Sequence, residues 1–438
     1  MKTISKIFNL CVVGMVVLLL SAFSRSAGAT ARVQVCATWT SQYVDVAFGE
    51  DNFTGPGQVQ RGAALTRYVL YNLTDGTNQA GFLDINGCAI AWYLPNKAYR
   101  FVQATWVGNG NRHIWVNPDD GTWDGRVVSI YYDWISPGSL QDNAIYLAGI
   151  PLVWVSPKAN IMPVAAHLVN SYSQFGFPDT LSTRVRTDID VCTGGGAYTE
   201  SMTKVCVTGG SQGTGYEWED CTTWKYTISH EFGHAVANAL TNTSLFAGGY
   251  DHPVNEAMCK CDHIGDYGPH YHCLQSREFV HTAQSEGFAN FFSAAMMNAR
   301  NENDGIYVHC KPAWKYLGGA WRNDVMPPNA WWAFQIQPEV NTDRWMQKYC
   351  PVGDSPQGVE LDWVRFFYEI WTSGSYKFSI NEMANVWNGV TESDYGWDNP
   401  SSNGKRRVKQ SCENIWGEYH DKSVLFRNKA FQAGVNNG

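Results

Sequence analysis

Two histidines and a glutamate lie close together in the segment His230-Glu-Phe-Gly-His234, which fits the pattern His-Glu-x-x-His. Residues four apart share one face of an α-helix, so both imidazoles can reach a single zinc ion while Glu231 points toward a water on that ion. Every fourth residue from Ile228 to Leu240 is apolar, which predicts a buried helix around the pattern. The segment therefore predicts a zinc site suited to metal-assisted hydrolysis.

A catalytic zinc ion usually takes three protein ligands and keeps a fourth position for water, so a third ligand is expected elsewhere in the chain. One candidate is Glu286, at the start of a run rich in helix formers that extends to Met297. Asn290 lies one turn after Glu286 on the same helix face, where it could hold a zinc-bound histidine in orientation. The alternative third ligand is Glu256, 22 residues past His234, in a stretch whose composition predicts a loop.

These segments resemble the gluzincin metallopeptidases, in which two histidines and a downstream glutamate bind zinc. The run from Glu286 to Phe292, Glu-Gly-Phe-Ala-Asn-Phe-Phe, is similar to the third-ligand helix of fungalysin-type enzymes, Glu-Gly-Trp-Ser-Asp-Phe-Phe. The run Asn255-Glu-Ala is similar to the thermolysin third-ligand motif, but we prefer Glu286 although 51 residues separate it from His234. The chain departs from both families at Asn290, where an aspartate is usual.

The resemblance covers about residues 215–300 and implies a catalytic core only. The chemistry of a bound zinc ion predicts hydrolysis by a zinc-activated water, with Glu231 as the general base. Together with the leader described below, we therefore expect a secreted zinc-dependent endopeptidase that cleaves polypeptide substrates. A second hypothesis is a non-catalytic secreted adhesion or carbohydrate- or cell-wall-binding protein on a degenerate zincin fold. Aromatic residues make up 14% of the chain, which would suit such a binding surface. The presence of both histidines, Glu231 and a third-ligand candidate favours the enzyme.

The first 29 residues have the features of a secretory signal peptide. Lys2 and Lys6 precede an apolar run over 10–20, and small residues at 27–29 suit cleavage. The apolar run is shorter than the 18 or so residues that a membrane span needs, so we expect a secreted protein without a membrane span. Loss of this leader, which holds three basic residues and no acidic ones, changes the formal charge from −8 to −11. Such acidity argues against nucleic acid as a partner.

Eleven of the 12 cysteines lie outside the leader, and in an exported chain they predict disulfides with one cysteine left over. Cys36 is expected to pair with Cys88, and Cys192 with Cys206. The segment 259–273 holds three cysteines and three histidines, so a second, structural zinc site is an alternative there. Disulfides are preferred in that segment because its Cys-x-Cys spacing is tighter than that of zinc sites.

The pattern of turns and periodicity predicts an α+β protein with three units after the leader. Short alternating runs separated by turns such as Asn86-Gly87 predict an antiparallel β-sandwich module over 30–140. A helix from Met162 and a strand from Thr183 precede the zinc helix, which is the order expected for the upper part of a zincin-like catalytic domain over 150–300. Helical patches over 359–371 and 380–387 predict an α-rich C-terminal subdomain over 301–438 that completes the cleft.

Overall fold

The computed structural model describes parts of the 438-residue chain. They are residues 30–41, 59–116, 130–136, 147–148, 157–171, 182–186, 197–201, 204–207, 225–241, 274, 278–298, 306–309, 315–317, 320–322, 332–335, 357–390, 403–433 and 435.

Nineteen strands occur in these parts. They are β1 Ala31–Cys36, β2 Thr38–Ser41, β3 Val59–Gly62, β4 Thr66–Asn72, β5 Thr77–Phe82, β6 Cys88–Tyr93, β7 Ala98–Asn109, β8 Arg112–Val116, β9 Ile130–Ile135, β10 Leu147–Ala148, β11 Ser182–Arg186, β12 Ala197–Ser201, β13 Lys204–Val207, β14 Glu278–Phe279, β15 Ile306–His309, β16 Lys315–Leu317, β17 Ala320–Arg322, β18 Trp332–Gln335 and β19 Gln357–Gly358. Seven α-helices accompany them within the same described ranges. They are α1 Pro157–Ser171, α2 Lys225–Thr241, α3 Val280–Met297, α4 Glu360–Thr372, α5 Ile380–Asn388, α6 Asn403–Trp416 and α7 Asp421–Ala433.

The largest sheet has eight strands in the order β12-β13-β11-β8-β7-β4-β5, with β9 also paired to β7. Most neighbours are antiparallel, but β11 runs parallel to both β8 and β13. Thr183 of β11 lies opposite Ile114 of β8, so strands before residue 140 and strands after residue 150 share one sheet. The α+β class with antiparallel sheets is therefore confirmed, while the division into an accessory and a catalytic unit stays a prediction.

The cysteines agree with the sequence analysis where the structure describes them. Cys36 and Cys88 face each other across the β1–β6 pair and form the predicted disulfide. Cys206 is also disulfide-bonded, but Cys192 lies outside the described residues, so their pairing stays a prediction. The segment 259–273, the alternative structural zinc site, likewise lies outside them. Cys412 is the free cysteine among the described residues, and burial raises the pKa of its thiol to about 12.

The predicted helices over 359–371 and 380–387 are confirmed as α4 and α5, each to within a residue or so at either end. Among the described residues, no helix combines the length and the apolar character that a bilayer span requires.

Helix α3 lies at the centre of the helical part of the fold. All 18 of its residues are buried, which is typical of a helix enclosed by neighbours on every side. It packs against α2 on one side and α4 on another, and α2 also contacts the strands β12 and β13. The side chains of α3 are therefore presented between two helices, next to one edge of the large sheet.

Candidate metal centre

Helix α2 carries the His-Glu-x-x-His pattern, and the predicted buried helix is confirmed. Ile228, Phe232 and Val236 are buried in the core on one side of the helix. The two histidines lie one turn apart with their rings 4.7 Å apart and perpendicular to each other. This orientation directs the Nε2 atoms of His230 and His234 toward each other, 3.2 Å apart.

Gly233, within the pattern, permits the close approach of α3. A Cβ atom added at this position would lie 2.7 Å from Cα of Ala289 and 3.0 Å from its carbonyl oxygen, which is closer than packed atoms come. The absence of a side chain lets the two helix backbones come together here. Glu286 lies three residues before Ala289 on α3. The same close approach of the helices therefore brings the Glu286 carboxylate to His230 and His234.

The three side chains meet at nearly equal separations. Oε2 of Glu286 lies 3.1 Å from Nε2 of His230 and 3.1 Å from Nε2 of His234. The Glu286 side chain is only 6% exposed, and the histidine side chains are 13% and 11% exposed. His230, His234 and Glu286 therefore form one compact group with the composition and spacing of a metal-binding site.

This group fits a tetrahedral metal ion. Bonds of about 2.0–2.2 Å from zinc to nitrogen and oxygen place neighbouring tetrahedral ligands about 3.3 Å apart. The three ligand atoms here are 3.1–3.2 Å apart, close to that separation. Two imidazoles and one carboxylate are also a donor set used by catalytic zinc. The residues could hold such an ion, and its identity stays a prediction.

The electrostatics of the group favour a cation between its members. Burial disfavours the charged form of His230, yet the hydrogen bond and the negative charge of Glu286 outweigh burial and raise the pKa of His230 to about 9. The charges of Glu231 and Glu360 act in the same direction. A proton or a metal ion at this point satisfies acceptors that would otherwise face one another in a buried place.

Hydrogen bonds hold both rings in orientation. Nδ1 of His230 lies 2.6 Å from Oδ1 of Asn290, which is the contact that the sequence predicts for Asn290. Nδ1 of His234 lies 3.4 Å from the hydroxyl oxygen of Ser285. With Nδ1 engaged in this way, each ring turns its Nε2 atom toward Glu286 and toward the point between the three ligand atoms that a metal ion would occupy, the metal position.

Glu231 is buried beside the group but is not one of its three members. The hydroxyl of Thr199, on strand β12, lies 2.9 Å from Oε2 of Glu231 and 2.7 Å from its main-chain carbonyl oxygen. The carboxylate is thus held by an adjacent strand and not by the metal ligands. A carboxylate placed beside a metal position in this way is equipped to accept a proton.

The structure thus brings together five side chains named from the sequence: His230, Glu231, His234, Glu286 and Asn290. Glu256, the alternative third ligand, lies outside the described residues. Three residues that contact these side chains have no role assigned from the sequence: Thr199, Ser285 and Glu360. Ser285 directly precedes Glu286, and Glu360 lies in the first turn of the helix predicted over 359–371, but no local pattern assigns a role to Thr199.

The site contains three groups of different chemical character. The triad of His230, His234 and Glu286 offers nitrogen and carboxylate oxygen atoms as metal ligands, Glu231 offers a nearby proton acceptor, and Asn290 and Ser285 orient the histidine rings. Comparison of the sequence with models of known protein families and with curated proteins gives no match in either case.

Proposed function

We propose that this protein is a secreted, zinc-dependent endopeptidase with a gluzincin-like catalytic core. The observation that carries the proposal is the convergence of His230, His234 and Glu286 at 3.1–3.2 Å with Glu231 next to them. Ligands from two packed helices and an acid held separately from them are what metal-assisted hydrolysis requires. A zincin-like arrangement of the catalytic part is included in this proposal.

The roles of the residues follow from their surroundings. A zinc ion held by the triad would polarise the scissile carbonyl and make an attacking water more acidic. Glu231 accepts the proton of the attacking water and returns it to the leaving nitrogen. Thr199 fixes the Glu231 carboxylate, and Asn290 and Ser285 keep the histidine rings turned toward the triad.

A polypeptide substrate is supported by the position of β12. Within the described residues this strand has a neighbour on one side only, because it ends the order of the large sheet. The backbone groups along a sheet edge can pair with an extended peptide. Thr199 of this strand contacts Glu231, so a peptide paired with β12 would pass close to the proton acceptor.

Secretion is supported by the leader-like sequence over 1–29 and by the disulfide between Cys36 and Cys88. Disulfides persist in oxidising compartments and are rare in the cytosol. The acidic balance expected after removal of the leader gives no support to a nucleic-acid partner.

The proposal is tested by elemental analysis and a cleavage assay on the purified protein, residues 30–438. We expect one zinc per chain, cleavage of an unfolded protein such as reduced casein, loss of cleavage with a chelator and recovery on adding zinc. A folded protein that contains no metal after preparation in the presence of excess zinc would overturn the proposal. Bound zinc without cleavage of any unfolded protein would favour the second hypothesis, a non-catalytic binding protein.

A further inference from the structure

A chain of buried polar side chains leads away from the metal position across three helices. His230 of α2 contacts Asn290 of α3, with 2.6 Å between Nδ1 and Oδ1. The Nδ2 atom of Asn290 then donates to Oε2 of Glu360, the first residue of α4, at 3.3 Å. Asn290 is 2% exposed and Glu360 is fully buried. Water therefore has little access to either side chain, and the protein itself sets their orientation.

The chemistry of these groups gives the chain one direction. A carboxylate only accepts hydrogen bonds, so Glu360 requires the NH₂ end of the Asn290 amide to face it. The oxygen end of that amide must then face His230, and it can accept only from a ring nitrogen that carries hydrogen. Nδ1 of His230 therefore carries a hydrogen, which leaves Nε2 as the ring nitrogen that can bind a metal ion. The opposite orientation of the amide would set its oxygen against the carboxylate and its NH₂ against the ring.

Two features of the fold place a carboxylate at this point. Glu360 begins α4, and the N-terminus of a helix carries partial positive charge that stabilises an anion. Gly287, one turn before Asn290, lets α4 approach, since a Cβ atom there would lie 2.3 Å from Cβ of Trp363 and 3.0 Å from the carbonyl oxygen of Glu360. The close packing of α3 and α4 thus brings the Glu360 carboxylate within reach of the Asn290 amide.

We propose that Glu360 is a positioning residue of the metal centre, which orients Asn290 so that His230 binds the metal through Nε2. The amide of Asn290 is neutral, and the negative charge of the Glu360 carboxylate lies one side chain further from His230. This inference deepens the proposed function and rests on it. Among the described residues, the metal-binding group consists of His230, His234 and Glu286 and does not include Glu360.

The test is the zinc affinity of the apo protein, measured by competition with a chelator, together with the visible absorption spectrum of the cobalt-substituted protein. We expect Glu360→Gln, which keeps the size of the side chain and removes its charge, to weaken zinc binding roughly 10- to 100-fold. We also expect its cobalt spectrum to differ from that of the wild type. The control is Glu369→Gln, a buried glutamate of the same helix whose carboxylate pairs with Lys429. That variant should bind zinc as the wild type does.

A double variant that moves the carboxylate from position 360 to position 290 distinguishes a positioning role of Glu360 from a purely structural one. In Asn290→Asp combined with Glu360→Gln, the carboxylate moves one side chain inward and can accept directly from His230. We expect this double variant to recover most of the zinc affinity that Glu360→Gln loses. Zinc affinity of the double variant no better than that of Glu360→Gln would contradict the inference.

The outcomes distinguish the inference from the proposed function. Zinc bound equally tightly by the wild type and Glu360→Gln, with identical cobalt spectra, would overturn the inference and leave the proposed function standing. A wild-type protein that binds no metal would overturn both. If Glu360→Gln does not fold, Asn290→Leu breaks the same chain at its middle, and wild-type zinc affinity in that variant would equally overturn the inference.

Discussion

Thr199 and Glu231 are joined by a hydrogen bond of 2.9 Å between the threonine hydroxyl and Oε2 of the carboxylate. The same hydroxyl lies 2.7 Å from the main-chain carbonyl oxygen of Glu231, so the main chain and the side chain of Glu231 both face strand β12. The contact ties the sheet edge to the helix that holds the metal ligands. It also leaves the second carboxylate oxygen of Glu231 available to another partner.

Replacement of Thr199 by valine tests this relationship, because valine has a similar shape and no hydroxyl. A hydrogen bond to a charged group contributes about 1.5–3 kcal/mol. Without it the Glu231 carboxylate should be held less firmly in its orientation, and we expect kcat to fall about tenfold. Zinc content should not change, since Thr199 does not contact the triad. Thr199→Ser retains the hydroxyl and should keep most of the activity. Equal kcat values for the valine and serine variants would show that the hydroxyl has no role.

Glu231→Gln should keep its zinc and lose hydrolysis. The amide cannot accept a proton from water, whereas the three ligand side chains are untouched, so we expect the cleavage rate to fall by a factor of about 100 to 10,000. Rates of casein cleavage and elemental analysis of the same preparation provide the measurement. Glu369→Gln serves as the matched buried control and should cleave normally. Cleavage by Glu231→Gln at the wild-type rate would remove Glu231 from the mechanism.

Glu286→Ala should bind zinc far more weakly than Glu256→Ala does. Glu286 is one of three converging donors, and its removal leaves two imidazoles to hold the ion. The measurement is zinc retained after dialysis against a weak chelator, compared between the two variants. The reverse order of zinc retention would transfer the role of third ligand to Glu256.

The sequence predicts the part of the site that depends on short spacing. His230 and His234 repeat at the period of a helix, and Glu286 and Asn290 lie on one helical face, so local geometry brings each pair together. Thr199 and Glu360 act across separations of 32 and 70 residues from Glu231 and Asn290. Such contacts depend on how helices and strands pack, which no local period encodes.

In the fold as well, pairings between distant segments could not be predicted from local patterns. The hairpins follow from alternation and turns in neighbouring segments, whereas the Cys36–Cys88 disulfide joins strands of the chain that are 52 residues apart. The parallel pairing of β11 with β8, in which Ser182 lies opposite His113, joins segments about 70 residues apart and has no sequence signal of its own. Spacing also does not identify Cys412 as the free cysteine among the described residues, because its burial results from the packing around it.

Gly287→Ala should destabilise the protein, although alanine is favoured over glycine within a helix by about 1 kcal/mol. The added methyl group would lie 2.3 Å from Cβ of Trp363, which cannot move away as a flexible side-chain end could. Overpacking of this kind costs about 1–3 kcal/mol. We expect a lower urea midpoint and weaker zinc binding, because α4 must move away from α3. An unchanged or higher midpoint would show that α4 does not pack on α3 as described.

The capping box at the start of α5 predicts a dependence of stability on acid. Ser379 and Glu382 bond reciprocally there, and Lys422 forms an ion pair with the Glu382 carboxylate. Although partial burial opposes them, the hydrogen bonds from Lys422 and Ser379 and the charge of Lys422 lower the pKa of Glu382 below its ordinary value of 4.5. The unfolded chain therefore takes up this proton first, and the stabilising contribution is present above pH 4.5 and declines as the pH falls through the lower folded pKa.

Glu382→Gln tests this dependence, because glutamine preserves the shape of the side chain but does not titrate. Urea midpoints of the wild type and the variant should differ at pH 7 and converge as the pH falls well below 4.5. The difference should be small, since Glu382 and Lys422 are partly exposed and such pairs contribute up to about 1 kcal/mol. A difference between the midpoints that persists in acid would assign the effect of Glu382 to packing and not to its charge.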